Sequence, residues 1–198
     1  PNRKRVLHFL LFPRRIRISG TGVNTDVFDT TATGAGFIDI PDNTFFYGAA
    51  FNRDDVMFFT EAACWMLKYT GNDVTPFTLE KIDGSRGSKA AFSVISYLNR
   101  TMAASPRGLL ISNGYTLERM DENIPEFSYN TVNNEFFESC FSAFLDEERD
   151  VYMLYPSKVQ DNPDSRPSFL EDESSDQILV SNFEEDNFST YRLPLSCL

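Results

Sequence analysis

The chain has 198 residues, a formal net charge of −11 and 41% apolar residues, which suits one globular domain, 1–198, with a sizeable core. No apolar run approaches the roughly 18 residues that cross a bilayer, which argues against a membrane span. Three scattered cysteines without a Cys-x-x-Cys pair are typical of a reducing compartment, so we predict an intracellular protein that is not secreted.

Charge is distributed unevenly along the chain. Residues 1–20 form a basic N-terminal arm with six basic and no acidic groups, whereas residues 121–198 carry four basic and eighteen acidic groups. The negative total opposes nucleic-acid binding, because affinity there depends on cations that replace phosphate counterions. We therefore expect the arm to bind nucleic acid weakly at most. Its expected contact is the acidic C-terminal third of the same chain or of a neighbouring copy.

The first fifty residues have the pattern of a mostly antiparallel β region. Glycine, threonine, asparagine and proline separate four strand-like segments, at 5–12, 15–19, 35–40 and 44–51. The segment 15–19 alternates, with Ile16 and Ile18 on one face and Arg15 and Arg17 on the other. This alternation predicts a half-buried strand with a cationic outer face.

The centre of the chain is predicted to be helical. Asn52 or Asp54 can cap a helix that runs to about Tyr69 and ends at Gly71. Apolar residues surround most of its circumference, which favours a helix at the centre of the core or under a partner. Two further helices are predicted, a short one over 76–82 and one that Ser85 or Ser88 can cap and that runs to Met102.

The second half adds a β-hairpin, a helix and an acidic extension. Residues 108–118 contain Asn113-Gly114, which is typical of a type I′ turn between two short strands, so we place a hairpin near 108–120. An amphipathic helix is predicted over about 132–145. A strand is expected at 151–155 and another at 177–181, the second of them within an acidic C-terminal extension that covers 156–198. The complete set of elements predicts an α+β fold.

Few residues are suited to catalysis. The single histidine, His8, lies in an apolar run, which rules out multi-histidine metal sites and leaves little for a histidine-assisted nucleophile. We therefore predict no metal and no cofactor. The best nucleophile is Cys64, because Lys68 would lie one helical turn away and could lower the thiol pKa. The competing interpretation is a buried, inert cysteine.

The leading functional hypothesis is a non-enzymatic structural or assembly protein, of the kind found among viral structural and accessory proteins. Aromatic residues make up 14% of the chain, more than an ordinary core needs, and favour contacts with copies of itself or with another protein. The expected binding residues are Arg14, Arg15 and Arg17 on the cationic side and Phe183, Glu184, Glu185, Asp186 and Phe188 on the acceptor side. Two alternatives remain: a monomeric acidic adaptor or inhibitor of one partner, and an enzyme that uses Cys64.

Overall fold

The structure is a computed structural model that describes residues 14–19, 35–72, 74–145, 150–157, 177–182 and 187–192. Within these ranges the protein is mostly β. Its strands are β1 (Arg15–Ile18), β2 (Gly36–Asp39), β3 (Phe46–Asn52), β4 (Asp55–Thr60), β5 (Cys64–Tyr69), β6 (Phe77–Asp83), β7 (Ile95–Tyr97), β8 (Arg100–Ser105), β9 (Gly108–Ser112), β10 (Leu117–Arg119), β11 (Phe141–Leu145), β12 (Asp150–Tyr155), β13 (Gln177–Asn182) and β14 (Asn187–Arg192).

Helical structure is minor in the described ranges. An α-helix, α1, spans Pro125–Asn130 and begins with proline, whose missing N–H costs nothing in a first turn. Two 3₁₀ helices span Ala91–Ser93 and Asn134–Ser139. No helix in this part of the chain has the length and apolar composition needed to cross a membrane.

The strands form four antiparallel sheets. β1 and β2 make a two-stranded ribbon, and the other sheets have four strands each. We call them the first sheet (β3-β4-β5-β6), the second sheet (β10-β9-β8-β7) and the third sheet (β11-β12-β13-β14). Each strand pairs with its neighbour in sequence, so every sheet is a simple meander.

The second sheet forms the middle of the core. β9 is buried along its whole length, as is β8 after its first residue. Because successive side chains point to opposite faces of a strand, each of these strands contributes to two clusters. Ala103 and Leu110 pack against the first sheet, whereas Ala104 and Leu109 pack against the third. The three sheets therefore stack as layers.

The predicted α+β fold with central helices is wrong, and the segment 54–69 shows why. It forms β4 and β5, joined by a turn in which the Thr60 N–H donates to the Ala63 carbonyl at 2.9 Å. β5 is buried on both faces over its first four residues, so its apolar residues are continuous. A continuous apolar run does not distinguish a central helix from a strand covered on both sides.

The other predicted helices are also wrong. Residues 77–82 lie in β6, and 132–145 contain a 3₁₀ helix followed by β11. The segment 88–102 contains a 3₁₀ helix, β7 and the start of β8. The two residues between these strands, Leu98 and Asn99, have φ of 38° and 62°. The turn with two left-handed residues that was expected at Asn113-Gly114 is therefore found between β7 and β8. Leu98 and Asn99 are a weaker sequence signal for such a turn than Asn-Gly.

The hairpin predicted near 108–120 is present, since β9 pairs with β10. Its loop has a different form, because Asn113 accepts backbone bonds from Tyr115 and Thr116 and left-handed φ is confined to Gly114. The strands expected at 15–19, 35–40, 44–51, 151–155 and 177–181 are confirmed within a residue or two. The strand expected at 5–12 lies outside the described residues.

The predicted acidic extension over 156–198 is corrected in part. β13 and β14 belong to the third sheet, and Leu179 is buried in the core. These strands are therefore an integral layer of the fold. The remaining acidic stretches, 158–176 and 183–186, lie outside the described residues.

Candidate protein-binding surfaces

The outer face of the first sheet is rich in aromatic side chains. Strand register places four apolar residues in one row across the sheet: Phe51, Val56, Leu67 and Leu79. In the neighbouring row, Tyr69 lies opposite Phe77 with ring centroids 5.5 Å apart. Phe51 is 65% exposed and Tyr69 is 66% exposed. Leu67 is only 8% exposed, so the exposed apolar area centres on these two aromatic residues, a residue type enriched at protein interfaces.

The ribbon covers part of that face and leaves a groove beside it. Ile40, just after β2, is buried against Trp65 and its neighbours. Further along, a cavity of about 220 Å³ is lined mainly by Ile18, Phe37, Ile38, Val74 and Phe77. Thr75 supplies the polar side chain of this lining, whereas small-molecule sites combine several convergent polar groups. The groove therefore does not resemble a substrate pocket.

The outer face of the third sheet carries a second apolar surface. One row crosses all four strands in register and consists of Phe141, Leu154, Ile178 and Tyr191. The adjacent row consists of Ala143, Tyr152, Val180 and Ser189. Neither row contains a charged residue. Phe141 is 46% exposed and Tyr191 is 56% exposed, whereas Leu154 and Ile178 between them are half-buried.

The sequence pattern did not predict this second surface. Its β11 residues were assigned to a helix, which placed Phe141 on a core-facing stripe. A usable signal lies in β12, where the residues 151–155 are apolar or aromatic at every position. Alternate positions, such as Val151 and Met153, are buried and already supply the core contacts. The remaining positions must therefore face outward.

The predicted cationic residues contact acidic and polar groups close to them in the fold. Arg15 makes two hydrogen bonds of 2.7 Å to the Asp39 carboxylate, and its guanidinium lies 3.8 Å from the Phe37 ring centroid. These hydrogen bonds lower the pKa of Asp39 and raise that of Arg15. Arg14 donates to the Asn43 side chain at 3.0 Å. The described contacts of Arg14 and Arg15 thus stabilise the ribbon, and Arg17 is exposed beside them.

The predicted acceptor residues are mostly beyond the described ranges. Phe183, Glu184, Glu185 and Asp186 all lie outside the described residues. Phe188 is on β14, half-buried, and packs against the core cluster that includes Tyr155 and Leu179. Its described contact is structural, and its role in binding stays a prediction.

The geometry around Cys64 is unfavourable for a nucleophile. The residue is fully buried on the inner face of the first sheet, and burial, followed by the charge of Asp83, raises the pKa of its thiol. On a strand, Lys68 lies about 13 Å further along, at roughly 3.3 Å per residue, where a helix would have placed it one turn away. Lys68 forms an ion pair with Glu80 instead. Cys140 is also buried, which raises its pKa to about 12.

Metal-binding chemistry finds no support in the described ranges, which hold no group of three or more histidine, cysteine or acidic side chains placed to bind a metal ion. The outer faces of the first and third sheets are the best candidate sites, and both are suited to protein contacts.

No protein-family model and no curated protein sequence matches this chain.

Proposed function

We propose that this chain is a non-enzymatic protein that acts through contacts with other protein chains, in the first place with copies of itself. The observation that carries the proposal is the apolar outer face of the third sheet. An antiparallel sheet with one face in water normally alternates apolar inward and polar outward residues. β12 departs from this rule, because Tyr152 and Leu154 point outward between inward-facing apolar residues.

The inward positions of the third sheet already provide its core packing. Val151, Met153 and Leu179 are almost completely buried against the rest of the fold. Within the described ranges, the outward row from Phe141 to Tyr191 belongs to no core cluster. Covering the row with another protein would remove apolar area from water at about 25 cal/mol per Å². This gain favours association over exposure.

Charge supports the same surface. A net charge of −11 makes two copies repel each other at long range, so contact is favoured where the surface is uncharged. The two apolar rows of the third sheet meet that condition.

We also propose an intracellular location, because Cys64 and Cys140 are free, as is usual in a reducing compartment.

Sedimentation equilibrium over a range of protein concentrations tests the proposal. We expect the wild-type chain to associate reversibly. The double variant Phe141→Lys/Leu145→Lys places two charges on the outer face of β11, at side chains that are 46% and 42% exposed. Its association should weaken by about tenfold or more, which corresponds to at least about 1.4 kcal/mol.

Phe51→Lys is the matched control, because Phe51 is an exposed phenylalanine on the first sheet. It should leave association unchanged. If Phe51→Lys weakened association more than the double variant did, the contact would lie on the first sheet. A wild-type chain that stays monomeric at every concentration would reject self-assembly.

A further inference from the structure

The four-stranded sheets differ in how their edges are covered. β3, an edge of the first sheet, contacts β7 and β8, while β11, an edge of the third, contacts β7 and the 3₁₀ helix Ala91–Ser93. β10 has three residues. Among the described residues, the long edges that remain are β6 and β14, with seven and six residues.

β6 carries features that oppose pairing with another strand. It contains Glu80, Lys81 and Asp83, and its register with β5 shifts between Cys64 and Trp65. Charged side chains and bulges on an edge strand are the usual means by which proteins prevent edge-to-edge association. Pairing of β6 with a strand of another chain is therefore disfavoured.

β14 has one such feature, the charged residue Arg192 at its end. It pairs with β13 one residue to one, without a register shift, from Asn187 to Arg192. Residues 187–191 (Asn-Phe-Ser-Thr-Tyr) contain no charge, proline or glycine, and three of the five are residue types enriched in strands. An edge of this kind offers a regular row of backbone groups to another strand.

The sequence of β14 is compatible with itself in an antiparallel register centred on Ser189. In that register Ser189 lies opposite Ser189 of the second copy, Phe188 opposite Thr190, and Asn187 opposite Tyr191. Antiparallel partners must share a face of the sheet. Pairing with β13 shows that positions 187, 189 and 191 lie on one face and 188 and 190 on the other, so every pair meets this requirement. No like charges oppose each other.

We propose that β14 pairs with β14 of a second copy in this register, joining two third sheets into one eight-stranded sheet. The contact is isologous and closes as a dimer. It rests on the proposed function, because it gives the partner as a second copy of this chain. It also places the apolar outer rows of the two copies side by side, which doubles the apolar area available for the face contact.

Ser189→Lys tests the edge contact, since the register places two lysines opposite each other at the centre of the interface. Dimerisation measured by sedimentation should weaken by about tenfold or more. Ser189→Thr, which keeps the hydroxyl and adds a β-branched carbon, should dimerise like the wild type. An unchanged unfolding midpoint would confirm that Ser189→Lys leaves the fold intact. Equal dimerisation of Ser189→Lys and wild type would overturn the proposal.

Cross-linking provides a test that is sensitive to register. Directly opposite Cβ atoms lie about 4.5–5.5 Å apart in an antiparallel pair, close to the distance that a disulfide spans. In a Cys197→Ser background, Ser189→Cys should form a covalent dimer with oxidised glutathione, whereas Thr78→Cys on β6 should not. If the wild type associates but Ser189→Cys cross-links no faster than Thr78→Cys, the edge contact is wrong and the proposed function stands. If the wild type never associates, both fail.

Discussion

Asn52 and Ser112 lie sixty residues apart in sequence and are joined by a hydrogen bond, in which Nδ2 of Asn52 donates to the Ser112 carbonyl oxygen at 3.1 Å. Asn52 ends β3 and Ser112 ends β9, so the bond connects the first sheet to the second. Asn52 is 3% exposed. A Cβ added to Gly114 would lie 3.2 Å from Oδ1 of Asn52, so the loop after β9 packs tightly against it.

Asn52→Ala should lower the free energy of unfolding by about 1–3 kcal/mol, because it removes one partner of a buried hydrogen bond. Urea denaturation measures the change. Asn134→Ala is the matched control, since Asn134 is exposed and surface substitutions usually change stability by less than about 0.5 kcal/mol. Equal effects of the two variants would contradict a structural role for the Asn52 bond.

Local signals in the sequence predicted the strands whose two faces differ. In β1, Ile16 and Ile18 alternate with Arg15 and Arg17. In the structure this strand is half-buried and pairs with β2 in a two-stranded ribbon. Asn113 and Gly114 similarly predicted the pairing of β9 with β10. These signals succeed because alternation and turn chemistry lie within a few residues of each other.

The central strands and the apolar outer faces could not be predicted in the same way. Cys64–Tyr69 is apolar along most of its length because sheet neighbours and packing layers bury it on both sides, and those contacts come from distant parts of the chain. The row from Phe141 to Tyr191 exists through pairings that span 13 to 24 residues between adjacent strands. Sequence periodicity does not report which strands become neighbours.

Gly87→Ala should be strongly destabilising. A Cβ at position 87 would lie 2.1 Å from the Thr60 carbonyl oxygen and 2.6 Å from the Glu61 carbonyl carbon, and backbone atoms cannot move aside easily. We expect a loss of about 3 kcal/mol, at the upper end of overpacking costs. Gly36→Ala is the control, because a Cβ there meets nothing within 4 Å. Thermal unfolding compares the two, and similar melting temperatures would refute the close approach at Gly87.

Arg119→Met should be more damaging than Asp121→Asn. Asp121 is fully buried, and Arg119 binds its carboxylate through two nitrogens at 3.0 and 2.9 Å. Removing the guanidinium leaves a buried charge without this partner, which costs about 3 kcal/mol or more. Asparagine keeps the shape of aspartate and carries no charge. The double variant Arg119→Met/Asp121→Asn should therefore recover part of the stability that Arg119→Met loses. Arg107→Met is the exposed control. Equal losses for Arg119→Met and Arg107→Met would rule out the ion pair as a stabilising contact.

Asp39 should titrate below the ordinary aspartate range. Its hydrogen bonds from Arg15 lower its pKa in the folded state. The stabilisation is therefore complete above the unfolded pKa of about 3.9 and is lost as the pH falls through the lower folded pKa. A carbon-13 NMR titration of the Asp39 carboxyl measures this directly. Arg15→Gln should shift the midpoint upward, and an unchanged midpoint would show that the ion pair does not form in solution.

The two buried thiols should be unreactive until the protein unfolds. Burial raises the pKa of both Cys64 and Cys140, and only a thiolate reacts rapidly with a disulfide reagent. In a Cys197→Ser background, a chromogenic disulfide should therefore modify neither cysteine in buffer and both in denaturant. The reaction rate should follow global unfolding as denaturant is added, because access to Cys64 requires separation of the first and second sheets. Rapid modification of Cys64 in the folded protein would restore the enzyme hypothesis, since it would demonstrate an accessible thiolate where this packing excludes one.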